Sequence, residues 1–166
     1  LPFVDVAADD WFYHDVVAAY HGGLLNGTDA VHFSPDGAMT RAMLFTVLAR
    51  MDGQKTEGGK TWYSAALQWV VSEGISDGSN PNGKLTREQL ATILHRYAGH
   101  PKAGEDLAAF SDAGEVSGYA EEAVKWAVGA GLITGMGDGT LRPQGGATRA
   151  QVAAILVRFQ ENREGN

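Results

Sequence analysis

The sequence predicts an all-α protein of three helix–loop–helix repeats, and three observations carry that reading. The dipeptide Thr-Arg recurs at Thr40-Arg41, Thr86-Arg87 and Thr148-Arg149. Upstream of each pair a glycine closes an apolar stretch: Gly23, Gly74 and Gly131. Aligned on these two anchors, all three copies carry apolar residues three and four positions apart, the spacing of a helix with one buried face.

The first helix of each repeat follows from the residues before the glycine. Val16, Leu67 and Val124 occupy one aligned position, and Tyr20, Val71 and Val128 occupy another four residues on. A glycine just past such a run is the usual left-handed helix stop. Helices are therefore expected over 13–22, 63–73 and 119–130. The second helix follows from the residues after the threonine. Leu44, Leu90 and Val152 share one position; Val47, Ile93 and Ile155 lie three residues on, and Leu48, Leu94 and Leu156 one further. This predicts helices over 41–52, 87–98 and 149–161. Each threonine is placed to cap its helix, the hydroxyl accepting an amide of the first turn. Gln89 and Gln151 complete a capping box, which Met43 cannot do in the first repeat.

Between glycine and threonine run loops of 17, 12 and 17 residues, so the middle one is five shorter. Loops this long in a compact array are commonly functional. The outer two contain Phe33-Ser34-Pro35 and Leu141-Arg142-Pro143, an extended apolar step expected to pair as a short strand or pack beneath the helices. The middle repeat has only Asn80-Pro81-Asn82-Gly83-Lys84 there, and it lacks the lead-in seen as Phe3-Val4-Asp5 and Phe110-Ser111-Asp112. The repeats are expected at 1–53, 60–99 and 107–163, separated by linkers at 53–60 and 99–107 rich in Gly, Lys and Glu.

Composition narrows the function. The 166 residues are 44% hydrophobic and 20% charged, enough to bury a core. Twenty acidic against thirteen basic residues leave a net charge of -7, which argues against general nucleic-acid or anionic-membrane binding. The absence of cysteine removes disulfides, thiolate metal sites and cysteine nucleophiles. No apolar run approaches the roughly 20 residues of a membrane span. The opening Leu1-Pro2-Phe3 leads straight into Asp5 with no leader, so the chain is expected to be a piece of a longer protein.

Catalytic patterns are missing. The histidines at 14, 21, 32, 95 and 100 are scattered without metal-site spacing, and there is no Gly-x-Ser-x-Gly elbow or phosphate loop. Asp77-Gly78 hints at calcium, but Ser79 and Pro81 at the next ligand positions supply too few oxygens. The chain is expected to be no enzyme and to carry no metal or cofactor.

The arginines are the unusual feature. Capping explains Thr40, Thr86 and Thr148 but gives no reason for Arg41, Arg87 and Arg149 beside them. A cation at the positive end of a helix dipole is disfavoured by about 0.3–1 kcal/mol. Arg50, Arg96 and Arg158, by contrast, sit at the favourable end of the same helices. Two accounts of the first set stay open at this point. An anionic ligand held jointly by guanidinium and free helix amides would offset the cost. Ion pairs with acids of a neighbouring repeat, such as Asp5 or Asp112, would do so equally well. Gly27, Gly78 and Gly135 are expected either as positive-φ turns or as points of close backbone approach to a ligand. Trp11, Trp62 and Tyr119 are expected to pack in the core or at helix entries, to offer a stacking face for sugar, or to do both.

The succession of Phe-x-Asp, aromatic, helix, Gly-Leu/Ile, Gly, Phe-x-Pro and Thr-Arg opening a helix resembles the S-layer homology (SLH) domain, with three copies covering nearly the whole chain. The resemblance implies a pseudo-threefold bundle, one helix per repeat at its centre, with grooves between adjacent repeats. It implies noncovalent anchoring of an exported protein to an anionic secondary cell-wall polysaccharide of bacteria, typically through pyruvate-ketal sugars, and hence an extracellular location. The family signature Thr-Arg-Ala-Glu supplies the arginine that meets the ketal carboxylate. Here it reads Thr40-Arg41-Ala42-Met43, Thr86-Arg87-Glu88-Gln89 and Thr148-Arg149-Ala150-Gln151, keeping the threonine and arginine but never the final glutamate. The expected ligand-binding set is Arg41, Arg87, Arg149, Gly27, Gly78, Gly135, Trp11, Trp62, Asp5 and Asp112. The alternatives are a helical-repeat module that binds proteins and a module that binds peptidoglycan directly.

Overall fold

The structure, a computed structural model, describes residues 1–104 and 106–165; residue 105, within the expected linker 99–107, lies outside the described residues. Among the described residues six α-helices form: α1 (Tyr13–His21), α2 (Arg41–Met51), α3 (Ser64–Ser72), α4 (Arg87–Tyr97), α5 (Glu121–Gly129) and α6 (Arg149–Glu164). Two short 3-10 turns, Ala113–Glu115 and Gly118–Ala120, precede α5. Pairing elsewhere is limited, among the described residues, to isolated β-bridges. The fold is all-α.

The helix ends are made as the residues dictate. Gly23, Gly74 and Gly131 take φ of 75°, 70° and 74°, a left-handed conformation that a side chain would strain. Thr40, Thr86 and Thr148 each accept the amide three residues on, and the side chains of Gln89 and Gln151 return the bond to complete two capping boxes.

α2, α4 and α6 are buried on most faces rather than along one stripe. In α2 alone Ala42, Leu44, Phe45, Thr46, Val47, Leu48 and Ala49 are all buried. Thr46 and Thr92, the polar residues at one such position, each donate to the carbonyl four residues back, to Ala42 and Glu88, so their burial leaves no hydroxyl unpaired. The shorter helices pack outside them in a staggered order. α3 rests on α2, α5 on α4, and α1 returns to rest on α6. Each first helix therefore leans on the second helix of the preceding repeat, and the chain closes on itself.

The loops close the same cycle. Beyond the bend Ser34-Pro35, the Gly37 and Pro35 carbonyls accept the first two amides of α6. Gly83 and Pro81 do this for α2, and Gly145 and Pro143 for α4. Ser34, Asn80 and Arg142, each just before the proline, hold positive φ of 58°, 49° and 48°. The middle loop, though shorter, thus keeps the turn that docks it to its neighbour. Phe33 and Leu141 pack beneath the helices, almost wholly buried, instead of forming a strand.

Candidate functional site

The loop docking corrects one expectation. The amides at the starts of α2, α4 and α6 are not free to bind an anion. Their first two donors meet loop carbonyls, and the third meets the capping threonine. The guanidinium groups are held by the same loops. Arg41 Nε donates to the Ser79 carbonyl at 2.9 Å, Arg87 Nε to Leu141 at 2.7 Å, and Arg149 Nε to Phe33 at 2.8 Å. The three accepting residues are equivalent, each lying two before the proline of the next loop. Part of the offset for a cation at a positive helix end is therefore a fixed carbonyl dipole.

The ion-pair alternative forms at one of the three arginines, and not with the acids expected. Among the described residues neither Arg87 nor Arg149 makes a salt bridge, while Arg41 Nη2 stands 3.8 Å from Asp77. Asp5 and Asp112 are used inside their own repeats. Asp5 accepts the amides of Phe33 and Ser34 at 2.9 and 2.8 Å, and Asp112 accepts those of Leu141 and Arg142, both at 2.8 Å. The Leu141 amide, helped by that of Arg142, holds the Asp112 carboxyl below its ordinary range against partial burial. At Asp5 burial is the largest influence and works upward, but the combined backbone bonds outweigh it and the pKa falls. These two acids grip the loops that carry the docking turn.

Beyond the shared Nε bond the three arginines part ways. Arg149 is fully committed: Nη2 donates to the Asn26 carbonyl, Nη1 reaches Met39 Sδ at 4.0 Å, and the group lies 4.8 Å from the Phe33 ring centre. Arg87 is only 6% exposed, yet the Nε bond is the one hydrogen bond its guanidinium makes to the described residues. Among the described residues no buried side-chain nitrogen lacks a partner, so the terminal nitrogens of Arg87 are not wholly enclosed. Burial pushes this guanidinium below the usual arginine value; the like charge of Arg142 adds to the shift and Asp112 opposes it. It remains charged near neutrality.

Arg87 forms part of the wall of a cleft of about 420 Å³ bounded by parts of all three repeats. Arg87 comes from α4; Thr134, Gly135 and Met136 from the third loop; Gln151, Ile155 and Arg158 from α6; Trp11 from the entry to α1. A second cleft, about 250 Å³, repeats the plan one step round. Arg41 replaces Arg87, Asp77 and Ser79 replace the loop residues, Gln89, Ile93 and Arg96 replace those of α6, and Tyr119 replaces Trp11.

The expected site residues therefore divide. The structure brings Arg87, Gly135 and Trp11 together in one cleft and places Arg41 in the other. Trp11, Trp62 and Tyr119 are exposed by 63%, 56% and 60%, so packing in the core is not their role; Trp62 lines neither cleft. Gly78 and Gly135 have the positive φ expected of turns, whereas Gly27 does not. Gly27 is needed for packing, since a Cβ there would stand 2.5 Å from Phe3 Cε1. Arg96 and Arg158 were missed as site residues because the helix dipole alone accounts for them. Their signal was spacing: Gln89, Ile93 and Arg96 fall on one helical face, as do Gln151, Ile155 and Arg158.

The two clefts, each lined by a pair of arginines and an exposed aromatic, lie between repeats of a closed helical array. The model for the S-layer homology domain matches residues 2–42 and 109–153, just over half of the chain. The chain belongs to the S-layer homology family. Among its relatives are an endoglucanase of Bacillus sp. strain KSM-635, 28% identical over 93% of this chain and 18% of that protein, and the S-layer protein sap of Bacillus anthracis, 27% identical over 94% and 21%. A cellulosome-anchoring protein of Acetivibrio thermocellus is 26% identical over 85% of this chain and 36% of its own length. The chain thus spans well under half of each. Family and surface relatives locate it outside the cell, at the bacterial wall, as an anchoring module. No helix among the described residues is long and apolar enough to cross a membrane.

Proposed function

We propose that this chain fastens a larger exported protein to the wall by binding an anionic secondary wall polysaccharide in the arginine clefts. The observation that carries the reading is Arg87, a nearly buried cation with no carboxylate partner among the described residues, which lines a cleft together with Arg158 and Trp11. Desolvating an unpaired charge is costly, and a ligand carboxylate would supply the missing counter-charge with charge-assisted, bidentate geometry. Trp11 at the rim would offer an apolar face to the sugar ring. A pyruvate ketal is the modification that fits the cleft chemistry: a compact carboxylate fixed to a pyranose. The local cations work against a chain charge of -7, so binding depends on short-range contact rather than on long-range attraction.

Two clefts on one module would engage neighbouring units of one polymer, each raising the effective concentration for the other. The relatives fit a portable anchor, since proteins named as differently as an endoglucanase and an S-layer protein share this stretch over a small part of their length. The test is retention on purified wall sacculi before and after chemical removal of the non-peptidoglycan polymer. Loss of binding on stripping supports the proposal. Unchanged binding contradicts it and points to peptidoglycan itself.

A further inference from the structure

The two clefts share a plan but not a charge. In the Arg87 cleft the residue before the glycine is Thr134, exposed and neutral, so the arginines Arg87 and Arg158 stand unopposed there. In the Arg41 cleft the equivalent residue is Asp77. Its side chain is 76% exposed, and Oδ1 lies 3.8 Å from Arg41 Nη2. Asp77 is not a loose rim acid. Its Oδ1 accepts the Ser79 hydroxyl at 2.7 Å and the Ser79 amide at 2.9 Å, which fixes the carboxylate at the mouth of the cleft. These bonds, the hydroxyl first, hold its pKa below the ordinary carboxylate range. The Arg41 guanidinium is also further engaged, with Nη2 donating to Ser76 Oγ at 3.3 Å.

Resting on the polysaccharide reading above, we propose that Asp77 is a specificity-determining residue that makes the clefts unequal. The Arg87 cleft takes the acidic sugar, and the Arg41 cleft takes an uncharged, hydroxyl-rich sugar of the same polymer. An incoming carboxylate at Arg41 meets a fixed like charge a few ångströms away, which near a protein surface weakens binding by roughly tenfold. A neutral sugar meets no such penalty. Its hydroxyls both donate and accept, matching a carboxylate beside two guanidinium groups, and the Tyr119 ring lies alongside for stacking. The smaller volume, about 250 against 420 Å³, suits a unit without a ketal. Polymer would then bind in one register, acidic unit to one cleft and neutral unit to the next.

The test follows amide resonances during titration with two probes, a methyl mannoside bearing a 4,6-linked pyruvate ketal and the same mannoside without it. Gly135 and Gly137 report on the Arg87 cleft, and Gly78 and Ser79 on the Arg41 cleft. In the wild-type chain the ketal probe shifts Gly135 and Gly137 at concentrations roughly tenfold lower than it shifts Gly78 and Ser79. Asp77→Asn keeps the acceptor for Ser79 but removes the charge, and brings the two clefts within about twofold for that probe. The reciprocal Thr134→Asp weakens ketal binding at the Arg87 cleft by about tenfold, and does so whether or not Asp77→Asn folds. Equal titration of both clefts in the wild-type chain overturns the inference, as does an Arg41 cleft indifferent to Asp77→Asn or an Arg87 cleft indifferent to Thr134→Asp. If neither probe shifts either pair of amides in any variant, the polysaccharide reading itself has failed.

Discussion

Replacing Arg87 by alanine separates what the side chain does for the fold from what it does for binding. The fold loses one hydrogen bond, from Nε to the Leu141 carbonyl at 2.7 Å, worth about 1–2 kcal/mol. Against that, the substitution removes a cation that is 6% exposed and has no ion-pair partner among the described residues, relieving a desolvation cost. The two effects have opposite signs, so net stability changes by at most about 1–2 kcal/mol, a shift in Tm of roughly 8 °C or less for a chain this size. Binding has no such compensation. A charge-assisted hydrogen bond to a ligand carboxylate contributes about 1.5–3 kcal/mol, so affinity for acidic polymer falls about 10- to 100-fold. Isothermal titration with soluble wall-polymer fragments, paired with circular dichroism melts, measures both quantities on one sample. Arg87→Lys restores the charge without the fork geometry and recovers only part of the loss. Unchanged affinity in Arg87→Ala, or collapse of its helix content, refutes the reasoning.

Arg149→Ala behaves in the opposite way. It strips donors from the Phe33 and Asn26 carbonyls and a cation from the Phe33 ring, costing about 2–4 kcal/mol and lowering Tm by roughly 5–15 °C, read in the same melts. Gly135→Ala forces a side chain into φ of 88° with its Cβ 2.7 Å from Phe110 Cε1, so it destabilises by about 1–3 kcal/mol in denaturant unfolding and disturbs the Arg87 cleft. Asp112, whose folded pKa is depressed, contributes stability that is present above its ordinary value of 3.8 and is lost as pH falls through the folded value. Melts of wild type and Asp112→Asn should therefore differ at about pH 6 and converge well below the ordinary value. Polymer binding should weaken as salt rises from about 0.05 to 0.5 M, because the cleft charges are partly open to solvent.

Most of the fold could be read from spacing. The three-and-four rhythm around Val16, Leu67 and Val124 fixed the first helices, and the threonine caps fixed the second, to within a residue or two except at the tail of α6. The staggered packing of α1 on α6 was not legible, because periodicity says which face is buried but not against what. The middle loop looked deficient by length and by its missing Phe-x-Asp. Its function survives in Asn80-Pro81, where asparagine tolerates the left-handed bend that Ser34 and Arg142 also adopt.

The candidate site was half legible. Arginine at a helix start was visible as an anomaly, and its placement in two clefts agrees with a site there. What the sequence hid was the partner of each Nε, since carbonyls of the next loop are supplied by backbone that no side-chain pattern encodes. That hidden bond also separates the arginines by what remains. Arg149 is spent on Asn26 and Phe33, whereas Arg87 lines the larger cleft with its terminal nitrogens unbonded among the described residues. Arg96 and Arg158 looked comfortable and were passed over. Comfort at a helix end and service in a cleft are compatible, and only the fold shows that the two arginines of each cleft come from successive repeats.

The most direct measurement is a crystal structure of the chain with an acidic wall saccharide of defined sequence. The account predicts the saccharide carboxylate within hydrogen-bond distance of the Arg87 terminal nitrogens, its ring against Trp11 and Arg158 alongside. A saccharide seated elsewhere, or seated here with its carboxylate turned to solvent and away from Arg87, would contradict it.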